Sequence, residues 1–174
     1  MGFWNVLEVG SWGAIHLSAT SGGITGVRIS EDTAGFLMDQ ARRTGEQEWE
    51  RGEGGLLAEA GAQIREYLEG RRREFDLPLD PRGTEFQRAV WKALGGIPYG
   101  ETRTYGEIAL AVGTPRSVRA VGAACGANPI AIVVPCHRVV AKGGGLGGYS
   151  GGLELKRRLL DLEAGAVNRL LHQA

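Results

Sequence analysis

The chain has 174 residues, of which 43% are hydrophobic and 23% charged, and its formal net charge is zero. This length and composition indicate a globular protein of one ordinary domain or two small ones. Its two cysteines are too few for a secreted disulfide framework or a four-ligand zinc site, and no apolar run approaches the roughly 20 residues that span a bilayer. We therefore expect a cytoplasmic protein that is not bound to a membrane.

Charge is unevenly distributed along the chain. Residues 1–82 contain 9 Lys and Arg against 14 Asp and Glu, a net charge of −5, whereas residues 83–174 contain 11 against 6, a net charge of +5. The window between Glu107 and Glu154 has no acidic residue but four basic ones: Arg116, Arg119, Arg138 and Lys142. Such a window suits a surface that contacts a phosphate backbone, but a Gly- and Ala-rich stretch with few charges explains it equally well.

The first part of the chain predicts a small antiparallel sheet, because short β-prone runs alternate with Gly/Ser turns over residues 4–30. His16 lies in one of these runs and is interpreted as a structural residue. Residues 44–55 are polar and acidic and predict a loop. Apolar residues at helical spacing then predict a helix over 56–68, which ends at Gly70.

Two prolines and a glycine lie in the short stretch between Phe75 and Gly83 and indicate a domain junction. We therefore predict an N-terminal α/β domain over residues 1–77, a linker over 78–83 and a C-terminal domain over 84–174.

Two capping boxes begin helices in the predicted C-terminal domain. Thr84 is followed three residues later by Gln87, and Thr104 is followed in the same way by Glu107. In this arrangement each side chain bonds the backbone of the other residue, so the first turn of a helix is stabilised. The first of these helices is predicted to end at Gly95.

The second capping box opens a predicted helix over 105–112, and Gly113 ends it. Thr114 is the predicted cap of a third helix that has Pro115 at its first position. Two short helices joined by a glycine turn are typical of a helix-turn-helix, although plain helical hairpins share the pattern. Small residues on the third helix allow close approach to a groove, and Arg119 projects from it as a long cation.

An apolar run over residues 130–134 predicts a strand that ends at Pro135 and presents Cys136 beside His137 and Arg138. A cysteine there could pack in a core, bind metal or act as a nucleophile. The thiolate is the nucleophilic form, and a neighbouring imidazole or cation lowers the thiol pKa from about 8.5. The tetrapeptide therefore favours the nucleophile.

A glycine-rich loop over residues 139–152 follows, and a last helix is predicted from about Leu153 to Gly165. Glycine allows a backbone to approach a ligand closely, but the same composition is found in flexible linkers. Tyr149 and Ser150 within the loop favour the interpretation as a pocket.

Ordered motifs cover most of the predicted C-terminal domain: TEFQRAVW (84–91), IPYG (97–100), TYGEIA (104–109), RAVG (119–122), NP (128–129), PCHRV (135–139), GYSGGL (148–153), then Lys156 and Glu163. This series resembles the O6-alkylguanine-DNA alkyltransferases. The resemblance implies an α+β fold, in which a small ribonuclease-H-like α/β domain precedes a mostly helical domain with a (winged) helix-turn-helix. Over residues 1–77 the resemblance is confined to size and strand pattern.

By this resemblance, Cys136 irreversibly accepts the alkyl group of O6-alkylguanine in DNA, and of O4-alkylthymine as well, in a single turnover. His137 takes the thiol proton through a water molecule, and Glu163 orients the imidazole. Asn128 is the hinge that ties the helix-turn-helix to the reactive segment.

The resemblance also implies two sets of binding residues. The alkylated base, flipped out of the duplex from the minor groove, is bound by Tyr105, Val139, Tyr149, Ser150 and Lys156. The DNA is contacted by Tyr105, Arg116, Ser117, Arg119, Ala120 and Gly122. Arg119 fills the gap that the flipped base leaves in the stack.

The implied partner is double-stranded DNA containing O6-alkylguanine, bound by a monomer without a cofactor. No metal is expected, because residues 1–82 lack the cysteines that hold zinc in some family members. Cys125 has no family role and is interpreted as a packing residue. Two alternatives stay open: a damage-binding module without chemistry, and a cysteine hydrolase that uses Cys136, His137 and Glu163.

Overall fold

The computed structural model describes residues 1–171, and side chains up to residue 165. The chain forms two compact units, the first made of Met1–Gly83 with Pro129–Val133, and the second of Thr84–Asn128 with the chain from Val134 onward. Residues 78–83, predicted to be a linker, belong to the first unit. Residues 172–174 of the predicted C-terminal domain lie outside the described residues.

The first unit contains a four-stranded sheet in the order β3-β2-β1-β4. Its strands are β1 (Gly2–Glu8), β2 (Ala14–Thr20), β3 (Gly23–Ile29) and β4 (Trp49–Arg51). The first three pair antiparallel, as the sequence predicts, and β4 pairs parallel to β1. The predicted loop over 44–55 is therefore wrong in part, because three of its residues form the edge strand.

Two helices pack against this sheet, α1 (Thr33–Thr44) and α2 (Gly55–Leu68). A Cβ added at Gly61 of α2 would contact Leu17, whereas a Cβ added at Gly26 would meet both Gln40 of α1 and Ser18. Leu17 and Ser18 are consecutive strand residues with side chains on opposite faces, so the helices cover opposite faces of the sheet. Helix α2 confirms the helix predicted over 56–68, whereas α1 has no counterpart among the predicted elements.

Residues 129–133 complete the first unit. The Val27 amide donates to the Pro129 carbonyl at 2.9 Å, and the Ala131 amide donates to the Val27 carbonyl at 3.0 Å. Beyond this bridge the segment turns, and Ile132 adopts a positive φ of 72° while its side chain is fully buried. The strand predicted over 130–134 is therefore wrong: the run is apolar because it is buried, but only Ile130 forms a bridge.

The second unit is mostly helical. It contains α3 (Glu85–Gly95), α4 (Tyr105–Ala111), α5 (Val118–Gly126) and α6 (Leu153–Leu171), with two short parallel strands, β5 (Arg103–Thr104) and β6 (Val139–Val140). Both predicted capping boxes are present, at the first residues of α3 and α4. A sheet-based first unit followed by a helical second unit confirms the predicted α+β fold.

Two predicted helix boundaries differ from the structure, the start of α5 and the end of α6. The third helix begins at Val118 instead of Pro115, because residues 114–117 form a turn in which the Ser117 amide bonds the Thr114 carbonyl at 2.8 Å. The last helix continues past Gly165 to Leu171. A lone glycine costs a helix only about 1 kcal/mol, so it did not end this one. Among the described residues, no helix is both long and apolar enough to cross a membrane.

Candidate active site

Cys136 lies in a single 3₁₀ turn formed by Cys136–Arg138 and is buried. The preceding Pro135 has φ −82° and ψ 63°, and the Cys136 amide donates to the Val134 carbonyl at 2.8 Å. This is an inverse γ-turn, a common way to leave an extended segment. The predicted strand up to Pro135 would have presented Cys136 and His137 in an extended conformation, and that geometry is wrong because the backbone turns at this point.

Asn128 fixes both the turn and the sulfur. Its side-chain amide donates to the Val134 carbonyl at 2.8 Å and to Sγ of Cys136 at 3.1 Å. Asn128 lies just after the end of α5, and its backbone N–H donates to the Cys125 carbonyl at 3.2 Å. Helix α5 and the reactive thiol are therefore coupled through one residue.

A buried carboxylate, that of Glu163 on α6, lies beside the thiol segment. His137 Nε2 is 2.8 Å from Glu163 Oε1, and the Gly100 amide donates to Oε2 at 2.9 Å. Arg138 donates to the same carboxylate from Nε, at 3.1 Å to each oxygen, and from Nη2 at 3.0 Å. Its Nη1 donates to the Ile97 carbonyl at 2.6 Å. The negative charge of Glu163 is thus fully compensated inside the protein.

His137 is neutral in this environment near pH 7. Its burial lowers the pKa below the ordinary 6.5, the hydrogen bond and charge of Glu163 act in the opposite direction, and the charges of Arg138 and Lys156 lower it again. A neutral imidazole whose Nε2 faces a carboxylate donates from that nitrogen. Its second nitrogen, Nδ1, is then an acceptor and can take a proton.

The Cys136 thiol has a raised pKa, and its burial is the main cause. The hydrogen bond from Asn128, the charge of Lys156 and an interaction with Tyr149 lower that pKa in part. The prediction that His137 and Arg138 lower this pKa is wrong, because both side chains bind Glu163. The resting cysteine is therefore a protonated thiol that needs a base when it reacts.

Lys156 is fully buried on α6, which is exceptional for a lysine. Its ammonium donates to the carbonyls of Val139 at 2.5 Å, Gly148 at 3.1 Å, and Leu146. Since an ammonium has three protons, the glycine-rich loop and β6 use all of them. Lys156 thus ties this loop to the strand that follows the reactive cysteine.

Tyr105 holds the same loop from α4. Its hydroxyl donates to the Gly148 carbonyl at 3.2 Å, and its ring lies 5.8 Å below the ammonium of Lys156. Gly147 has φ +69°, and a Cβ there would lie 2.7 Å from the Tyr105 ring. Only glycine fits this position, both for its backbone angle and for the space available.

A cavity of about 480 Å³ is lined in part by Cys136. Its wall is formed by α5, the start of α4, the reactive turn and the glycine-rich loop, through Tyr105, Val118, Arg119, Gly122, Cys125, Gly126, Cys136, Gly148, Tyr149 and Ser150. This volume is in the range of small-molecule sites. Both cysteines line the cavity. Burial raises the pKa of Cys125 to about 12 and only the charge of Lys156 acts against it, whereas Cys136 is assisted by hydrogen bonds as well.

Comparison with known proteins assigns this arrangement to a family. Residues 85–165 match the DNA-binding domain of 6-O-methylguanine DNA methyltransferases, and residues 10–81 match the ribonuclease-like domain of the same proteins. The chain belongs to this family. The ribonuclease-like match also confirms the type of N-terminal domain that the sequence resemblance implied.

Individual members of the alkyltransferase family are similar over nearly the whole chain. The inducible methylated-DNA–protein-cysteine methyltransferase of Bacillus subtilis is 42% identical over 97% of this chain and 93% of its own length. The corresponding protein of Mycolicibacterium paratuberculosis is 49% identical over 87% and 86%. The crystal structure of Mycobacterium tuberculosis OGT in complex with DNA has a TM-score of 0.81 at 44% identity and covers 94% of both chains.

The structure of this family member brings together most of the side chains that the sequence analysis singled out. The cavity wall includes six of them: Tyr105, Arg119, Gly122, Cys136, Tyr149 and Ser150. Asn128, His137 and Glu163 form the hydrogen-bonded groups described above. Arg116 and Ala120 are exposed outside the cavity wall, and Ser117 is the residue before α5.

Two of the predicted substrate-binding residues lie outside the cavity wall of this family member, and one further residue joins the site. Val139 and Lys156, predicted to bind substrate, are buried outside the cavity wall and bind each other. Arg138 was missed as a site residue although it stands in the PCHR motif. Nothing local in the sequence shows that its partner is Glu163, 25 residues away.

Proposed function

We propose that this chain repairs alkylated DNA by direct reversal, in which the Cys136 sulfur takes the alkyl group from O6 of guanine. The observation that carries the proposal is a buried thiol in the wall of a cavity, hydrogen-bonded by Asn128 at 3.1 Å and next to helix α5, in a chain of this family. A hydrolase would need a substrate carbonyl and an oxyanion site. The family membership favours alkyl transfer over that alternative.

The transfer is a displacement at the alkyl carbon. The thiolate pair forms a new S–C bond, the C–O6 bond breaks, and its electron pair goes to the guanine, which takes up a proton at N1. The product is an alkyl thioether, in which the thiolate is a poor leaving group, so Cys136 is not regenerated. Each protein molecule therefore reacts once.

The thiol proton leaves toward His137. Because the imidazole is neutral and Nε2 faces Glu163, Nδ1 is the nitrogen that receives the proton, through one water molecule. The carboxylate of Glu163 stabilises the imidazolium that forms. Arg138 holds that carboxylate in place.

Substrate recognition needs the base outside the duplex. O6 of a stacked guanine cannot reach a buried sulfur, so the alkylated nucleotide is flipped into the cavity. Arg119 is exposed at the cavity wall and is long enough to occupy the vacated space in the stack. The window around α5 is basic and has no acidic residue, which supports contacts with DNA phosphates from the minor-groove side. The proposed DNA contacts also include Arg116, Ser117, Ala120 and Gly122.

Within the cavity, Tyr105 and Ser150 are the proposed hydrogen-bond donors to the base, and Tyr105 must turn its hydroxyl proton away from the Gly148 carbonyl to donate. O4-alkylthymine is a second proposed substrate. The carbonyl of Val139 already accepts from Lys156, so it binds the exocyclic amine of guanine only through its second lone pair. We also propose that the protein acts as a monomer in the cytoplasm, without a cofactor or a metal.

The test is stoichiometric labelling. Incubation with a duplex that contains one O6-methylguanine is expected to add one methyl group per protein molecule. Trypsin releases residues 120–138 as one peptide that contains both Cys125 and Cys136. Fragmentation must therefore place the methyl group on Cys136, and Cys125→Ala must keep the reaction while Cys136→Ala loses it. An unmodified protein that still binds the damaged duplex would identify a binding module instead.

A further inference from the structure

Tyr149 has a hydroxyl that the proposed mechanism does not use. Its ring lines the cavity, but the hydroxyl oxygen is buried and forms no hydrogen bond within the described residues. The ring packs closely against the backbone of Gly151, because a Cβ at that position would lie 3.0 Å from Cε1 of Tyr149. A buried hydroxyl without a partner is costly, so this group calls for an acceptor that the resting protein does not supply.

The neighbour of this hydroxyl is the reactive sulfur. Burial is the main cause that raises the pKa of Tyr149 well above its ordinary value, followed by the charge of ionised Cys136 and by the hydrogen bond that the ionised sulfur would accept. The effect is reciprocal, because the Tyr149 hydroxyl lowers the pKa of Cys136. Cys136 and Tyr149 also line the same cavity, so the two groups are neighbours there.

The sulfur gains acceptor capacity only when it loses its proton. A neutral thiol is a weak acceptor, whereas a thiolate is a strong one and in a buried site needs several donors. Asn128 supplies one of them at 3.1 Å. Lys156 supplies charge but no proton, because its three N–H groups are directed at backbone carbonyls.

We propose that Tyr149 is a catalytic residue whose hydroxyl donates a hydrogen bond to the Cys136 thiolate. The bond is absent in the resting thiol and forms when the sulfur ionises, so it stabilises the nucleophile and not the resting state. The inference rests on the proposed role of Cys136 as alkyl acceptor. The ionisation of the thiol can nevertheless be measured without DNA.

The experiment follows the rate at which iodoacetamide alkylates Cys136 as a function of pH, in a Cys125→Ala background. Other titratable or charged groups around the sulfur are Lys156, Tyr105 and the His137–Glu163–Arg138 cluster, and all of them stay unchanged. Tyr149→Phe removes only the hydroxyl. We expect its rate profile to move to higher pH, with a rate roughly tenfold lower below the thiol pKa, as for the loss of a hydrogen bond to a charged group.

The plateau at high pH distinguishes this role from a structural one. Above the pKa every sulfur is a thiolate, so Tyr149→Phe should reach at least the plateau of the parent protein. A Tyr67→Phe control in the first unit should leave the profile unchanged. An unshifted profile, or a plateau that falls together with the thermal unfolding temperature, would overturn the proposal. If Tyr149→Phe shifts the profile as expected but the parent protein takes no methyl group from DNA, the result would count against the proposed function and not against the role of Tyr149.

Discussion

Arg138 binds the carboxylate of Glu163 through two guanidinium nitrogens in the interior of the second unit. Both side chains are almost fully buried. Two opposite charges taken out of water are tolerated there because the remaining hydrogen-bonding groups are also satisfied, through Ile97, Gly100 and His137. The Arg138–Glu163 pair thus holds His137, the proton acceptor of the proposed reaction, in one orientation.

Replacement of Arg138 by Met should lower the free energy of unfolding by about 3–5 kcal/mol, the cost of an uncompensated buried charge. Arg138→Lys keeps the charge but not the forked geometry, so it should recover only part of the loss. Urea unfolding of the three proteins measures this order. Equal stability of Arg138→Met and the parent protein would contradict the buried ion pair.

The local parts of this structure could be predicted from the sequence. Thr84 with Gln87 and Thr104 with Glu107 specify α3 and α4 because a capping box is made entirely within four residues. The ordered motifs likewise identified Cys136, His137 and Glu163 as a group. Capping residues also flank the missed helix α1, since Asp32 accepts a hydrogen bond from the Gly35 amide.

The parts that could not be predicted depend on contacts between distant residues. The run over 130–134 has strand composition, but its backbone pairs with Val27, about a hundred positions earlier in the chain, and then turns through Ile132. Lys156 has the position of a substrate-binding residue in the motif, yet three carbonyls take its protons. No periodicity in the sequence contains this information.

Lys156 offers a second prediction. Lys156→Met should free the glycine-rich loop, raise the pKa of the Cys136 thiol because a nearby positive charge is lost, and lower the free energy of unfolding by at least about 2 kcal/mol. Hydrogen–deuterium exchange over residues 141–152 should become faster. The exposed Lys142 lies in the same loop, and Lys142→Met is the matched control with unchanged exchange. Identical exchange in both variants would exclude the proposed tie.

Gly147 gives a third prediction. Its φ of +69° and the 2.7 Å separation between an added Cβ and the Tyr105 ring make Gly147→Ala destabilising by about 1–3 kcal/mol. The methyl group should also displace Tyr105 and slow alkyl transfer. Gly145→Ala is the control, because its nearest neighbour would be Ala141 Cβ at an ordinary 3.7 Å. Thermal unfolding and methyl transfer are measured for both, and equal behaviour would contradict the contact.

The first unit should lose stability in mild acid through His16. This side chain is buried, its Nε2 lies 2.7 Å from Thr33 Oγ1, and burial together with the charge of Arg28 lowers its pKa below the ordinary 6.5. Below pH 6.5 the unfolded chain therefore binds a proton that the folded chain resists, so the free energy of unfolding falls as the pH decreases from 6.5 toward the folded-state pKa.

The measurement is urea unfolding at pH 7.5 and pH 5.5 for the parent protein and His16→Gln. Between pH 7.5 and pH 5.5 the free energy of unfolding should fall less for His16→Gln than for the parent protein. Part of the fall that remains in the variant comes from His137, whose pKa is also lowered. A parent protein that is equally stable at both pH values would show that His16 does not resist protonation.

Arg119 and Arg116 should differ in what they contribute to repair. Both are exposed, but only Arg119 lies in the cavity wall. Arg119→Ala should slow methyl transfer from duplex DNA even at saturating DNA, because the flipped state is less populated, and should leave the reaction with free O6-benzylguanine nearly unchanged. Arg116→Ala should weaken duplex binding and reduce the slope of log K against log salt by about one phosphate contact, with an unchanged rate at saturation. Equal losses on duplex and free base for Arg119→Ala would count against its role in base flipping.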